Sequence, residues 1–292
     1  MRRLKGKIIV VTGATSGIGL AATRAFVEHE AIVVGVGRSR ERVEEAQNAI
    51  LDDFPKAKLT FFLTDLATQA EVRELAKNIA LYVHQINQNH IDVLVNNAGG
   101  YHEKKELTVD GIERTFAVNH LAGFILTHEL MPLLSNAQNG RILTISSYSH
   151  FTTPLCLKRI TNPWPYISLL AYKRSKLSNI LFTYEINRRC KKVTAFAVDP
   201  GLVNTAIASK ENKGISHLVW RIKRKSGTPP EVPVQTILYL SAKNELDVSR
   251  GFYYKDSAPK QPSKKAERED LARQLWELSC QVGGIDRLNN CF

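Results

Sequence analysis

Along the chain, short blocks of consecutive apolar residues, many of them β-branched, alternate with longer stretches in which apolar positions recur every three or four residues. The blocks are IIVVT (8–12), AIVVGVG (31–37), KLTFF (58–62), IDVLVNN (91–97), RILTIS (141–146) and VTAFAV (193–198). A short block that is apolar at nearly every position, rather than at every second one, predicts a strand covered on both faces. Each is followed by a stretch of helical period, so the pattern predicts a doubly wound α/β fold, a parallel sheet with helices on both faces. No internal repeat and no Gly/Ser- or Pro-rich linker divides residues 1–255, which predicts one catalytic domain over that range. KDSAPKQPSKKAERED (255–270) is polar and punctuated by proline, and reads as a connector. LARQLWELSCQV (271–282) has the spacing of an amphipathic helix, so residues 256–292 are expected to form a connector and C-terminal helix packed on the same domain.

Forty lysines and arginines against twenty-eight aspartates and glutamates leave a formal charge of +12. That balance suits a polyanionic ligand, an anionic surface or plain solubility, and does not choose among them. No recognition helix or stacking motif accompanies it, so nucleic acid is not an expected partner. Cys156, Cys190, Cys280 and Cys291 lie far apart, with no Cys-x-x-Cys and no neighbouring histidine cluster. That spacing predicts neither a disulfide framework nor a metal site, and points to a reducing, cytoplasmic home. The opening MRRLKGKIIVVTGATSGIG mimics a secretion signal, but its apolar run stops at Val11 and breaks on Thr12, Gly13, Thr15 and Gly17. No stretch approaches the roughly 18 apolar residues of a membrane span.

Between the first predicted strand and the first predicted helix stand Gly13, Thr15, Ser16, Gly17, Ile18 and Gly19. A strand that turns into a helix through glycines lets backbone N–H groups and the helix N-terminus approach a pyrophosphate. The spacing is G-x-x-x-G-x-G. Where the second strand ends, a dinucleotide site for NAD carries an Asp or Glu on the ribose 2′-hydroxyl. Here Gly37 takes that place and Arg38 follows. A guanidinium pairs a 2′-phosphate, and a missing carboxylate removes the repulsion of that phosphate, so NADP(H) is the expected cofactor.

AYKRSKLSNI (171–180) puts a tyrosine and a lysine four residues apart in a predicted helix, with Cβ atoms roughly 6 Å apart on one face. Such a pair arises by chance on many helices. In order along the chain, TGATSGIG (12–19), DL (65–66), NNAG (96–99), VNH (118–120), ISS (145–147), YKRSK (172–176) and DPGLVNT (199–205) resemble the motifs of the short-chain dehydrogenase/reductase family over residues 7 to about 255. The resemblance implies a Rossmann fold and roles residue by residue. Tyr172 matches the general acid/base, Lys176 the activating lysine, Ser147 the hydrogen-bonder of the substrate oxygen, and Asn119 the helix-kinking asparagine of a proton relay. Asp65 and Leu66 correspond to adenine contacts, and Asn96, Asn97, Ala98 and Gly99 to the strand-end turn beside the cofactor. Pro200, Gly201, Val203 and Thr205 correspond to the segment lining the nicotinamide. The 25-residue gap from Ser147 to Tyr172 and the continuation YKRSKLSNILFTYEINRR resemble the retinol-dehydrogenase-like subgroup, with Asp199 in place of the histidine common there before Pro-Gly. Homo-oligomers are common in such a family.

Reducing a carbonyl leaves an oxyanion that must be protonated, and oxidising an alcohol needs the reverse transfer. Moving a phenol from a pKa near 10 to about 7 takes roughly 4 kcal/mol. One positive charge about 4 Å away at an effective dielectric of ~20 supplies that much, so Lys176 is expected to suffice if held close. The expected activity is interconversion of a lipophilic aldehyde or ketone and its alcohol. Substrate loops are expected at 148–170 and 206–230, with CLKRITNPWPYISLL (156–170) as part of an apolar pocket. The basic, apolar segment 217–225 is also compatible with weak peripheral membrane contact. An NADP-loaded sensor or interaction module is the rival reading, and the Ser147, Tyr172 and Lys176 set weighs against it.

Overall fold

A computed structural model describes residues 4–154, 156–204 and 227–286. The six apolar blocks are strands: β1 (Ile8–Thr12), β2 (Ile32–Gly37), β3 (Lys58–Leu63), β4 (Val93–Asn96), β5 (Gly140–Ile145) and β6 (Val193–Val198). They lie in one parallel sheet in the order β3-β2-β1-β4-β5-β6. The apolar run that mimics a secretion signal is therefore the central strand β1, buried along its whole length.

Successive side chains on a strand point to opposite faces, and β1 divides its residues accordingly. Ile8 and Val10 join a core with α3 (Gln69–Gln85), α5 (Ala122–Asn136) and α6 (Ser168–Arg189). Ile9 and Val11 join a second core with α1 (Gly17–Glu28) and the later helix α7 (Glu231–Ala242). α2 (Arg40–Asp53) contributes Ile50 to the second core, and the short α4 (Arg114–Phe116) leads into α5. Both sheet faces are covered, which is why the strands are apolar at consecutive positions rather than alternate ones. β3, at the sheet edge, is half-buried at its four central positions and exposed at both ends, matching its lysine start.

The chain steps outward from β1 to β2 and β3, then returns to the other side of β1 as β4. This reversal leaves a crevice beyond the carboxyl ends of β1 and β4, the place where open α/β sheets bind ligands.

The connector expected from residue 255 onward differs from the pattern. Its first residues extend the sheet: β7 (Tyr253–Lys255) runs parallel to β6, and β8 (Ala258–Pro259) turns back antiparallel to β7. Asp256 and Ser257 make the turn with φ of 52° and 57°, the left-handed pair that a two-residue hairpin requires. Pro259 is tolerated because β8 is the edge strand and owes no N–H to a further neighbour. α8 (Glu269–Val282) is the expected amphipathic helix, and it packs on α5 and α6. Its Trp276 stands edge-on to Phe124 at 5.0 Å and stacks on Phe182 at 6.0 Å. No described helix is long and apolar enough to cross a membrane.

Candidate active site

The crevice at the strand reversal is an open cleft of about 280 Å³. The glycine turn forms its floor. Gly13 and Gly17 take φ of +67° and +54°, a region that side chains disfavour. A Cβ on Gly13 would come within 3.0 Å of the Ala98 backbone, and one on Gly19 within 2.1 Å of the Gly13 carbonyl oxygen. Gly19 thus lies behind the cleft and lets α1 sit close to the turn, while Gly13, Thr15, Ser16, Gly17 and Ile18 face into it. Ser16 caps α1 without a side-chain hydrogen bond, and the first turn carries no acid. The exposed N-terminal amides and the positive end of the helix dipole therefore suit an anionic group.

The opposite wall is the end of β4. Thr12 Oγ1 accepts from Asn97 N and Ala98 N, both at 3.0 Å, and Asn97 Nδ2 donates to Thr12 O at 2.8 Å. These bonds tie the NNAG turn to the glycine turn, with Asn97, Ala98 and Gly99 on the cleft surface. Asn96 is buried beneath, donating to Thr127 Oγ1 at 3.0 Å. Arg38 is exposed at the rim with Asp65 and Leu66 nearby in the same wall. Asp65 Oδ1 accepts from Ala67 N at 3.0 Å, and its other oxygen lies 3.8 Å from Arg114 Nη2.

The four candidate catalytic residues come from three separate elements and converge. Ser147 ends the β5 segment in extended conformation and begins the 3-10 turn Tyr148–Thr152. Tyr172 and Lys176 lie on α6, buried to 8% and 4% exposure, and both reach the cleft. The Ser147 side chain lies close enough to the Tyr172 phenol to act on its pKa. Asn119 sits in a π-turn, Ala117–Leu121, between α4 and α5. A π-turn widens a helix and leaves carbonyls without their usual partners. The Asn119 carbonyl is taken up by Asn179 Nδ2 at 3.0 Å. The Asn119 side chain clamps Gly100, accepting from its N at 2.8 Å and donating to its O at 2.9 Å.

Electrostatics here differ from the expectation that a nearby ammonium lowers the phenol. Burial pushes Tyr172 up to about 12, with the Ser147 side chain acting downward and the Asp199 carboxylate upward. Lys176 Nζ stands 5.6 Å from the Tyr172 ring centre and donates to the Ile145 carbonyl at 3.1 Å. Burial lowers the lysine itself to about 8. Loss of water around both groups outweighs their mutual attraction. Asp199 is buried, accepting from Tyr253 OH at 2.7 Å and from Gly201 N at 3.0 Å.

Known proteins resemble this chain in sequence and in fold. The family model for short chain dehydrogenases matches residues 7–216. The chain belongs to the short-chain dehydrogenase family. Human WW domain-containing oxidoreductase is 34% identical over 95% of this chain and 68% of its own length. Human retinol dehydrogenase 11 is 31% identical over 97% of this chain and 87% of its own. A crystal structure of an uncharacterized protein from Mycobacterium paratuberculosis superposes with a TM-score of 0.72 at 27% identity, over 96% of this chain and 94% of that one. The dehydrogenase is thus an oxidoreductase of the retinol-dehydrogenase-like kind, with an NAD(P) site and a small-molecule substrate.

Not every residue expected in this dehydrogenase's site reaches the cleft surface. Pro200 does; Gly201, with φ of +70°, turns the chain there, and Val203 forms an isolated bridge to Thr228. Thr205, the segment 217–225 and most of the loop 206–230 lie outside the described residues. The loop expected to supply an apolar pocket lends none of its residues 156–170 to the cleft wall, and Trp164, Ile167 and Leu169 stand exposed at 73%, 55% and 44%. Tyr166 OH donates to the His102 carbonyl at 2.8 Å and Ser168 Oγ lies 2.7 Å from Tyr101 OH, so the segment packs behind two wall residues rather than forming wall itself.

Several wall residues escaped the sequence reading. Arg42, in the first turn of α2 and four residues past Arg38, lines the cleft, as do Tyr101 and Arg114. Arg42 was visible in the run RSRER. Asn179 is three residues past Lys176, a spacing that also shares a helix face. Tyr101, edge-on to Tyr172 at 6.1 Å, had no signal beyond its place after NNAG.

Proposed function

We propose that this dehydrogenase interconverts a lipophilic aldehyde or ketone and its alcohol with NADP(H), using Tyr172 as the acid/base. The observation that carries the reading is the placement of Tyr172 and Lys176 in the wall of the cleft that the glycine turn floors, with the Ser147 side chain beside Tyr172. The similarity to retinol dehydrogenase 11 supports the lipophilic substrate. We further take residues 1–255 as the catalytic domain, with the remainder packed on it.

The glycine turn and α1 would hold the pyrophosphate, Arg38 and Arg42 the adenosine phosphate, and Lys176 the nicotinamide ribose. When bound, the dinucleotide supplies or accepts the hydride. Ser147 donates to the substrate oxygen and fixes it beside the phenol, where a hydroxyl serves without carrying charge. Tyr172 then delivers its proton to that oxygen in reduction or withdraws it in oxidation. Asn119, clamped to Gly100 and linked to Ser175 Oγ at 3.0 Å, keeps the polar path behind Lys176 in register. With the phenol protonated, the cofactor-free protein already carries the proton that reduction consumes. Turnover of NADPH against aldehydes and ketones of graded size tests the reading, and no turnover with any of them would overturn it.

Cofactor choice has a test of its own. A charge-assisted contact to a 2′-phosphate contributes about 1.5–3 kcal/mol, so Arg38→Ala should lower kcat/KM for NADPH roughly 10- to 150-fold. NADH should be nearly unaffected. Equal losses with both would overturn the NADP(H) preference. The complementary Gly37→Asp change, attractive from sequence, is closed by packing. A Cβ there would meet Thr15 Cγ2 at 2.6 Å and Val43 Cγ2 at 2.7 Å, both on β-branched side chains with little freedom to move.

A further inference from the structure

Two buried histidines stand near the site without a part in the proposed reaction. His120 bridges Asn179 Oδ1 at 3.2 Å and Ser279 Oγ at 3.1 Å inside an aromatic cluster, which accounts for it as a core link to α8. His150 differs, because one of its partners is a catalytic segment. Its Nδ1 lies 2.7 Å from the Ser147 carbonyl oxygen, and its Nε2 lies 3.1 Å from the Ser263 backbone N.

We propose that His150 is a positioning residue, whose Nδ1–H holds the Ser147 main chain and so sets the Ser147 hydroxyl against Tyr172. The two partners leave one protonation pattern. A main-chain N–H only donates and a carbonyl only accepts, so Nε2 is bare, Nδ1 carries the hydrogen and the ring is neutral. Burial, which lowers the pKa of this ring, agrees with a neutral imidazole. The ring has no exposed surface, and it packs 5.2 Å from Tyr253 and 4.2 Å from Phe151.

The Ser147 carbonyl receives both the His150 backbone N at 3.2 Å and the ring Nδ1–H, so one residue grips it twice. The Ser147 hydroxyl accepts from Ser149 N at 3.2 Å and lies close enough to Tyr172 to draw the phenol's pKa down. Rotation of the Ser147 peptide would break that set together. The connector supplies the anchor: Ser263 fixes His150, and Lys265 Nζ donates to Thr153 O at 3.1 Å, at the far end of the same turn. The segment past β8 therefore reaches the site through His150, 113 residues away in sequence.

This proposal rests on the oxidoreductase reading, and its test separates the two. In His150→Asn the carboxamide nitrogen takes the place of Nδ1, keeping the Ser147 bond and losing the Ser263 one. In His150→Gln the carboxamide oxygen takes the place of Nε2, keeping Ser263 and releasing Ser147. A misplacement of about 1 Å costs on the order of 100-fold in rate. With NADPH and an accepted carbonyl, the Asn variant should keep kcat within about threefold of wild type, and the Gln variant should lose about 10- to 100-fold with the KM for NADPH unchanged. A Gln variant as active as the Asn variant overturns the proposal, as do equal losses in both that follow a shared fall in melting temperature. Nitrogen-15 NMR of the wild-type histidines needs no turnover. It should find a buried ring protonated at Nδ1 that disappears in both variants, and a His150 ring protonated at Nε2 overturns the geometry even if the protein turns over no carbonyl.

Discussion

Replacing Tyr172 with phenylalanine is expected to lower turnover by about 100- to 10,000-fold while NADPH binding stays within about twofold. The ring is 8% exposed and rests edge-on to Tyr101, contacts that phenylalanine keeps. What it loses is the hydroxyl with its proton, and a neutral polar contact of the kind it makes beside Ser147 changes stability by only about 1 kcal/mol. Cofactor binding by fluorescence titration and turnover by absorbance separate the two effects. Near-normal kcat in this variant would end the assignment of Tyr172 as proton donor. The phenol, held up at about 12, stays protonated across pH 6–10. Carbonyl reduction should therefore show no loss from its ionisation in that window.

Lys176→Met is expected to remove most activity and yet raise the melting temperature at pH 7 by about 5 °C. The lysine is lowered from 10.5 to about 8 because burial penalises its charge, a cost of roughly 3 kcal/mol below that pH. The sign follows from proton counting. Between about 8 and 10.5 the unfolded chain binds a proton that the folded one does not, so wild-type stability rises with pH through that interval. The advantage of the methionine variant is therefore full below about 8 and gone near 10.5. Packing does not oppose the gain, since the Ile145 carbonyl that Lys176 bonds also accepts from Asn179 Nδ2 at 3.1 Å. Thermal melts of both proteins from pH 6 to 10 check this; a variant less stable than wild type at pH 7 would mean that the ammonium is better solvated than its burial implies. In activity, the wild-type rate of reduction should decline above about pH 8 as the ammonium is lost, and the residual rate of the variant should lack that break.

The sequence by itself determined the sheet and the outline of the site. Strands such as Ile8–Thr12 and Val193–Val198 were legible because burial on both faces imposes an apolar residue at each step. The glycine turn and the Tyr172/Lys176 pair were legible because local spacing fixes which groups share a turn or a helix face. Tertiary structure decided what depends on distant neighbours and on the exclusion of water. Asp256 and Ser257 look like part of a polar connector, and only the free edge of β6 turns the residues around them into strands. Gly37 reads as a missing carboxylate, but Thr15 and Val43 are what forbid a side chain there. The charge of Lys176 argues for a lowered phenol until burial of both groups reverses the balance, because desolvation is a property of the packed interior and not of any four-residue spacing. His150 carried no signal at all. Its meaning lies in a bond to Ser263 across 113 residues, a contact that exists only once the chain past the last strand has folded back over the site.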